Sequence, residues 1–121
     1  MNQLNLVGRI VREIDVKEVG DGKIVLNNTI AVKRKFKNDQ GQQADFIPIV
    51  AWGQVAKLIQ VYCEKGDLIG MTGHIQSRSY QNKEEETVFV VEMLVNEIDF
   101  LQGPRNKLAT EKSELEQSTL Y

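Results

Sequence analysis

A single change of hydrophobic period constrains this chain more than any other feature. Val55, Leu58, Ile59 and Tyr62 stand at i, i+3, i+4 and i+7, the apolar stripe of one amphipathic helix. The runs on either side of it follow strand patterns instead. Residues 4–14 (LNLVGRIVREI) are β-branched and aliphatic, and Gly8 among them predicts a bent strand. Gly20-Asp21-Gly22 signals a turn, and residues 24–36 form a second strand. Asn38-Asp39-Gln40-Gly41 closes a hairpin onto a third strand at 45–52. Gly66-Asp67 ends the helix. A fourth strand runs from about Leu68 to Tyr80, the polar loop QNKEEE follows, and a fifth runs from Thr87 to about Leu101.

Three strands, one helix and two strands is the order of the oligonucleotide-binding (OB) fold. That fold is an all-β, five-stranded Greek-key barrel, here with its helix between strands three and four. Other small α+β domains share the order, so it narrows the fold without fixing it. Gly103-Pro104 marks an exit, which divides the chain into one domain over residues 1–102 and a short polar tail over 103–121. A length of 121 residues suits one domain with a real core and not two.

Composition narrows the chemistry. The chain is 41% hydrophobic and 26% charged, ordinary for a globular protein. Its one cysteine, Cys63, permits no intrachain disulfide, fits a reducing compartment and reads as a small buried hydrophobe near the helix end. One His and one Cys cannot close a metal site unless several carboxylates join them, so no metal or other cofactor is expected. No apolar run resembles a signal peptide or approaches eighteen residues, so a cytoplasmic chain without a membrane partner is expected. Glu84-Glu85-Glu86 reads as a solvated turn, and His74 has no Cys or Ser near it in sequence. No catalytic residue is assigned, and the chain is not read as an enzyme. The formal net charge of −2 argues mildly against a polyanionic partner. A binding groove, however, needs only local positive charge.

Local charge is present. Lys33-Arg34-Lys35-Phe36-Lys37 sets four cations around one aromatic at the end of the second strand. Cations along a phosphate track and flat π-faces for unpaired bases are what a binder of single strands needs; a solvated hairpin end fits the run equally well. In the fourth strand Ile69, Met71 and Ile75 share one face, and His74, Gln76, Arg78 and Tyr80 share the other. Tyr80 beside Arg78 suits a base platform next to a phosphate contact; a tyrosine lying over a barrel end is the alternative. In the third strand Phe46 and Trp52 have the parity opposite to Ile47, Ile49 and Ala51. They face outward if the aliphatic set fills the barrel, or pack on the helix or a second subunit if both faces are buried. Pro48 removes a ladder donor and argues for an edge or a bulge. Phe36 shares the parity of Ile30 and Val32, which points inward, but lies near a turn where that distinction lapses. Lys57 and Lys65 are further cations, weaker as candidates because isolated surface lysines commonly just solubilise.

In order, NQLNLVGRI, TIAVKRKFKNDQGQQADFI, VAWGQVAKLIQVYCEKGDLI, GHIQSRSYQN and VVEMLVNEIDFL resemble the bacterial and phage single-stranded DNA-binding proteins. The match covers about residues 2–101, and several blocks in one order are more specific than any block alone. The resemblance implies sequence-nonspecific binding and protection of single-stranded DNA in replication, recombination or repair. It implies bases stacked on aromatics at the positions of Phe36, Phe46, Trp52 and Tyr80. Lys33, Arg34, Lys35, Lys37 and Arg78 would neutralise phosphates and release counterions. It also implies a homotetramer whose first strands pair between subunits. Leu4, Leu6, Val7 and Ile10 fit that role, as they would fit a lone barrel strand.

Longer relatives carry a Gly/Gln-rich linker and an acidic tip ending in Pro-Phe that recruits replication and repair proteins. From Gln102 onward this chain has three basic residues (Arg105, Lys107, Lys112), three acidic ones (Glu111, Glu114, Glu116) and a Thr119-Leu120-Tyr121 end. Docking through such a tip is therefore not expected, and the short form looks like an accessory paralogue or a phage or mobile-element version. Pro48, Gln54 and Glu64 stand where relatives often place cations or polar residues. The competing reading is a protein-interaction subunit of a replication or recombination complex, with the barrel kept and weak DNA affinity.

Overall fold

The computed structural model describes residues 1–102. Its elements are β1 (Leu4–Ile10), β2 (Val16–Val19), β3 (Lys23–Lys33), β4 (Ala44–Trp52), α1 (Gly53–Tyr62), β5 (Leu68–Gln81) and β6 (Thr87–Gln102). Turn chemistry decides which of them become hairpins. Gly20 and Gly22, with φ of 59° and 82°, join β2 to β3. Between β3 and β4, Asn38 Oδ1 accepts the N–H groups of Gln40 and Gln42 at 3.0 and 2.8 Å, and Gly41 supplies the left-handed residue. The β5–β6 turn repeats the design: Asn82 Oδ1 accepts from Glu84 and Glu86 at 2.9 and 3.0 Å, and Glu85 takes the left-handed position.

Strand order is β1-β5-β6-β4-β3, and β1 returns to pair with β3 at Arg9↔Ala31 and Ile10↔Ile30, so five strands close a ring. All pairings are antiparallel except β4–β6, which is parallel at Ile49↔Met93 and Val50↔Leu94. This is the OB barrel expected from the strand order. Close approach forces glycine at two points. A Cβ on Gly8, where β1 meets β3, would collide with the Ile30 side chain and come within 2.6 Å of the Ala31 carbonyl oxygen. One on Gly73, at the β5–β6 register shift, would overlap the Leu94 carbonyl.

Residues 4–14 do not form one bent strand. Pairing with β5 ends at Arg9 and with β3 at Ile10, and the chain resumes pairing only at Val16. The cause is the buried side chain of Asn28. Its Oδ1 accepts the N–H of Arg12 at 3.1 Å and of Thr29 at 2.7 Å, while its Nδ2 donates to the carbonyls of Arg12 and Glu13 at 3.1 and 3.4 Å. An amide side chain thus replaces a strand partner and turns the main chain aside. The helix consequently lies between the fourth and fifth strands of six, β2 being an addition to the five-stranded ring.

Leu26, Ile30, Ile49, Ala51, Ile69, Met71, Met93 and Val95 fill the barrel, and Ala56 and Ile59 of α1 complete the core with Cys63. Each fully buried Leu, Ile or Met among them contributes roughly 1.5–3 kcal/mol. The helix turns slightly from its predicted stripe. Val55 and Leu58 are half-buried, and Tyr62 is exposed and meets the Phe100 ring at 5.5 Å between centroids. Cys63 is buried as expected. Burial, with a smaller contribution from the Asp67 charge, pushes its thiol pKa up to about 12. Asp67 is itself buried and its carboxyl is raised above the ordinary value chiefly by that burial. Its Oδ2 accepts the Glu64 N–H at 2.7 Å. No helix among the described residues is long and apolar enough to cross a membrane. The expectations for the tail at 103–121, including the missing docking tip, lie outside the described residues.

Two measurements follow from this interior. Asn28→Ala strips the partner from four backbone groups and lowers stability by about 2–3 kcal/mol, read from the urea midpoint; an unchanged midpoint would show that the amide is incidental. Cys63 is protonated at pH 8 and screened from solvent, so an aromatic disulfide reagent labels it at the rate of unfolding, and rapid labelling of the native protein contradicts the assignment.

Candidate nucleic-acid interface

All four aromatics expected to stack bases are open to solvent: Phe36 at 77%, Phe46 at 61%, Trp52 at 45% and Tyr80 at 47% of full exposure. Strand register gives their faces. Ile47, Ile49 and Ala51 oppose Ile30, Asn28 and Leu26 on the inner side, which leaves Phe46 and Trp52, opposite Ala31 and Val25, on the outer one. The outer pair Val50↔Leu94 carries this face onto β6, and Leu94↔His74 carries it onto β5. His74, Gln76, Arg78 and Tyr80 therefore share the outer face with Phe46 and Trp52. Tyr80 does not cover a barrel end. It stands on the part of β5 that has outrun β1 and pairs with β6 alone. Phe36 lies beyond the last residue of β3, so alternation does not govern it.

Pro48 sits on that outer face without a bulge. Opposite it, Thr29 sends its N–H to Asn28 Oδ1 at 2.7 Å and takes the Val11 N–H on its carbonyl at 2.9 Å. The Pro48–Thr29 pair thus needs no hydrogen bond, and the proline nitrogen turns toward a side where pairing with β6 begins only at Ile49. The strand is internal, yet the ring position behaves as an edge.

The cations divide into two kinds. Lys33, Lys35 and Lys37 are exposed and form no ion pair among the described residues, and Lys57 and Lys65 are exposed as well. Arg34 is held by Asp45, whose Oδ1 accepts from Nη2 at 2.6 Å and from Nε at 3.0 Å. Arg78 donates through Nε to Glu92 Oε1 at 3.1 Å, and its guanidinium lies over the Tyr80 ring, 5.9 Å from the centroid. Glu92 is buried and also accepts from Gln76 Nε2 at 2.9 Å. The arrangement braces the Tyr80 ring with a charge already partly matched. His74 Nδ1 lies 3.3 Å from Asn96 Oδ1, and no cluster of three His, Cys, Asp or Glu among the described residues could hold a metal ion.

Sequence reasoning missed Asp45 and Glu92 as partners. The signal was available for both. Asp45 is placed near Arg34 by the Asn38 turn, and Glu92 is a lone charge in the apolar run VFVVEML, which calls for a partner. It also missed the exposure of Phe89 and Val91 on β6, because alternation assigns them to the inner side.

A family model described as the single-strand binding protein family matches residues 1–101. Among curated relatives, the "Single-stranded DNA-binding protein B" of Bacillus subtilis is 40% identical over 110 residues, covering 89% of this chain and 97% of that one. "Single-stranded DNA-binding protein 3" of Clostridium acetobutylicum is 42% identical over 103 residues, 84% of this chain and 72% of its own. "Single-stranded DNA-binding protein 1" of Staphylococcus aureus is 38% identical over 113 residues, 93% and 72% respectively.

The Arg78–Glu92 pair can be tested by itself. Arg78→Ala leaves a buried carboxylate with Gln76 alone and lowers stability by about 1–3 kcal/mol, less than for a fully buried pair because Arg78 is half-exposed. Adding Glu92→Gln recovers most of the loss in the same urea titration. A double variant as unstable as the single one would disprove the coupling.

Proposed function

The chain belongs to the single-strand binding protein family, and on that premise we propose that it coats single-stranded DNA by neutralising phosphates and stacking bases on Phe36, Phe46, Trp52 and Tyr80. The observation that carries this reading is the shared outer face of β4 and β5, which presents Phe46, Trp52 and Tyr80 to solvent together. Exposed rings accept any base, since every base has a π-face, and each stacked base contributes about 1–3 kcal/mol in single-strand binders of this kind. Lys33, Lys35 and Lys37 are free to meet phosphates, with Lys57 and Lys65 as outlying contacts. Arg34 and Arg78 contribute less per charge, because Asp45 and Glu92 already neutralise part of each.

The same reading makes the protein a homotetramer. Leu4 to Gly8 of β1 pair with β5 on one side, and β3 joins β1 only at Arg9 and Ile10. The other edge of Leu4–Gly8 is thus open for pairing with a second β1, beside the exposed Val7. Four such domains supply the wrapping surface that one lacks. The protein holds strands open during replication, recombination or repair in the cytoplasm, alters no bond and needs no cofactor.

Trp52 is the single tryptophan, so its fluorescence reports on one site. Oligo-dT quenches it at low salt, and affinity falls steeply as salt rises. By mobility shift, Trp52→Ala and Tyr80→Ala each weaken binding about 5- to 100-fold, from the stacking range, with the assembled size unchanged in gel filtration. Asp45→Asn releases Arg34 and strengthens low-salt binding a few-fold, about what one freed charge supplies. Absence of quenching and of any shift at micromolar protein favours the protein-interaction subunit instead.

A further inference from the structure

The β5–β6 hairpin has a second face that DNA coating leaves unused. Asn2 replaces a strand partner for Ile75, taking its N–H at 2.9 Å and donating to its carbonyl at 2.7 Å. Past that point β5 pairs only with β6, and β6 pairs with β4 only at Met93 and Leu94. Residues 76–92 therefore form a two-stranded ribbon projecting from the ring. Tyr80 and Arg78 lie on its outer face. Its reverse face continues the inner row of Ile69, Met71 and Met93 past the rim, where that row comes into solvent: Ile75 is 42% exposed, Val91 57% and Phe89 76%. Ser77 and Ser79 oppose Val91 and Phe89, so no bulky side chain shields the ring. A ribbon of two strands is marginal alone, and a contiguous apolar row of this kind marks a contact surface.

Charge decides which contact. The ribbon ends in Glu84, Glu85 and Glu86 against the one ammonium of Lys83, a setting that repels a phosphate backbone. It suits a cationic segment with an exposed aromatic, and this chain carries one. Lys33, Lys35 and Lys37 surround Phe36, and the two turns are built alike on Asn38 and Asn82 with opposite charge. Phe36 and Phe89 are also the two most exposed aromatics among the described residues.

We propose that the reverse face of the ribbon, formed by Ile75, Phe89 and Val91, receives the Lys33–Lys37 hairpin of a second copy of this chain. The two surfaces differ, so the contact is heterologous, and it extends into rows wherever its rotation does not close a ring. It is separate from β1 pairing. Because the hairpin also serves the DNA reading, excess oligonucleotide dissolves the rows; only this consequence rests on that reading.

Sedimentation velocity on the full chain without DNA tests the contact. At low salt, species larger than the base assembly grow with protein concentration, and they disappear at high salt. Phe89→Ser abolishes them, as does the triple Glu84→Lys, Glu85→Lys, Glu86→Lys, while the base assembly and circular dichroism stay unchanged. Mixing that triple with Lys33→Glu, Lys35→Glu, Lys37→Glu restores the larger species, although neither variant forms them alone. Absence of larger species at low salt overturns the proposal, and so does their survival in both ribbon variants. If Phe89→Ser leaves sedimentation unaltered but weakens oligo-dT binding, nucleic acid is the occupant and the second copy is not.

Discussion

The ring closes through two residue pairs, Arg9↔Ala31 and Ile10↔Ile30, and the rest of the molecule depends on that closure. An open sheet of these strands would leave β1 and β3 with bare edges and the core row exposed. Gly8 allows the approach, since any side chain there would strike β3. Once the ring is shut, inside and outside acquire fixed meanings on every strand. Ile49 and Met93 must face the core, so Val50 and Leu94 must face out, and the aromatics two and four residues from Val50 follow.

The outer surface is thereby a product of the core rather than a separate construction. A one-residue slip between β3 and β4 would bury Phe46 and expose Ile47. The two arginines show the other half of the arrangement. Each is fixed by a carboxylate on the other arm of its hairpin, which trades free positive charge for a defined position. The lysines keep their charge free and gain no such fixation. Rigid, partly neutral arginines beside mobile, fully charged lysines make a surface that combines shape with long-range attraction.

Much of this was legible in the sequence because the signals were local. Asn38-Asp39-Gln40-Gly41 and Gly20-Asp21-Gly22 made the turns that their residue types demand, and the 3.6-residue period at Val55, Leu58 and Ile59 gave the helix. The β1–β2 break was not legible, because its cause is Asn28, more than a dozen residues away in the chain. Phe89 escaped for a related reason, and strand parity alone misdirected Phe36. Alternation tells which side a residue takes, but not whether the barrel still exists at that height. Both rings belong to hairpins that outlast the barrel wall, and the lengths of neighbouring strands decide that.

The paired asparagine turns differ at one position. Gly41 takes the left-handed conformation without penalty, whereas Glu85, at φ 62°, takes it at a cost of about 1–2 kcal/mol for a residue with a Cβ. A tip shaped by folding stability alone would carry glycine in both turns. The β5–β6 tip instead keeps a carboxylate against the torsional preference of its own backbone, so its charge is held at the expense of local ease of folding.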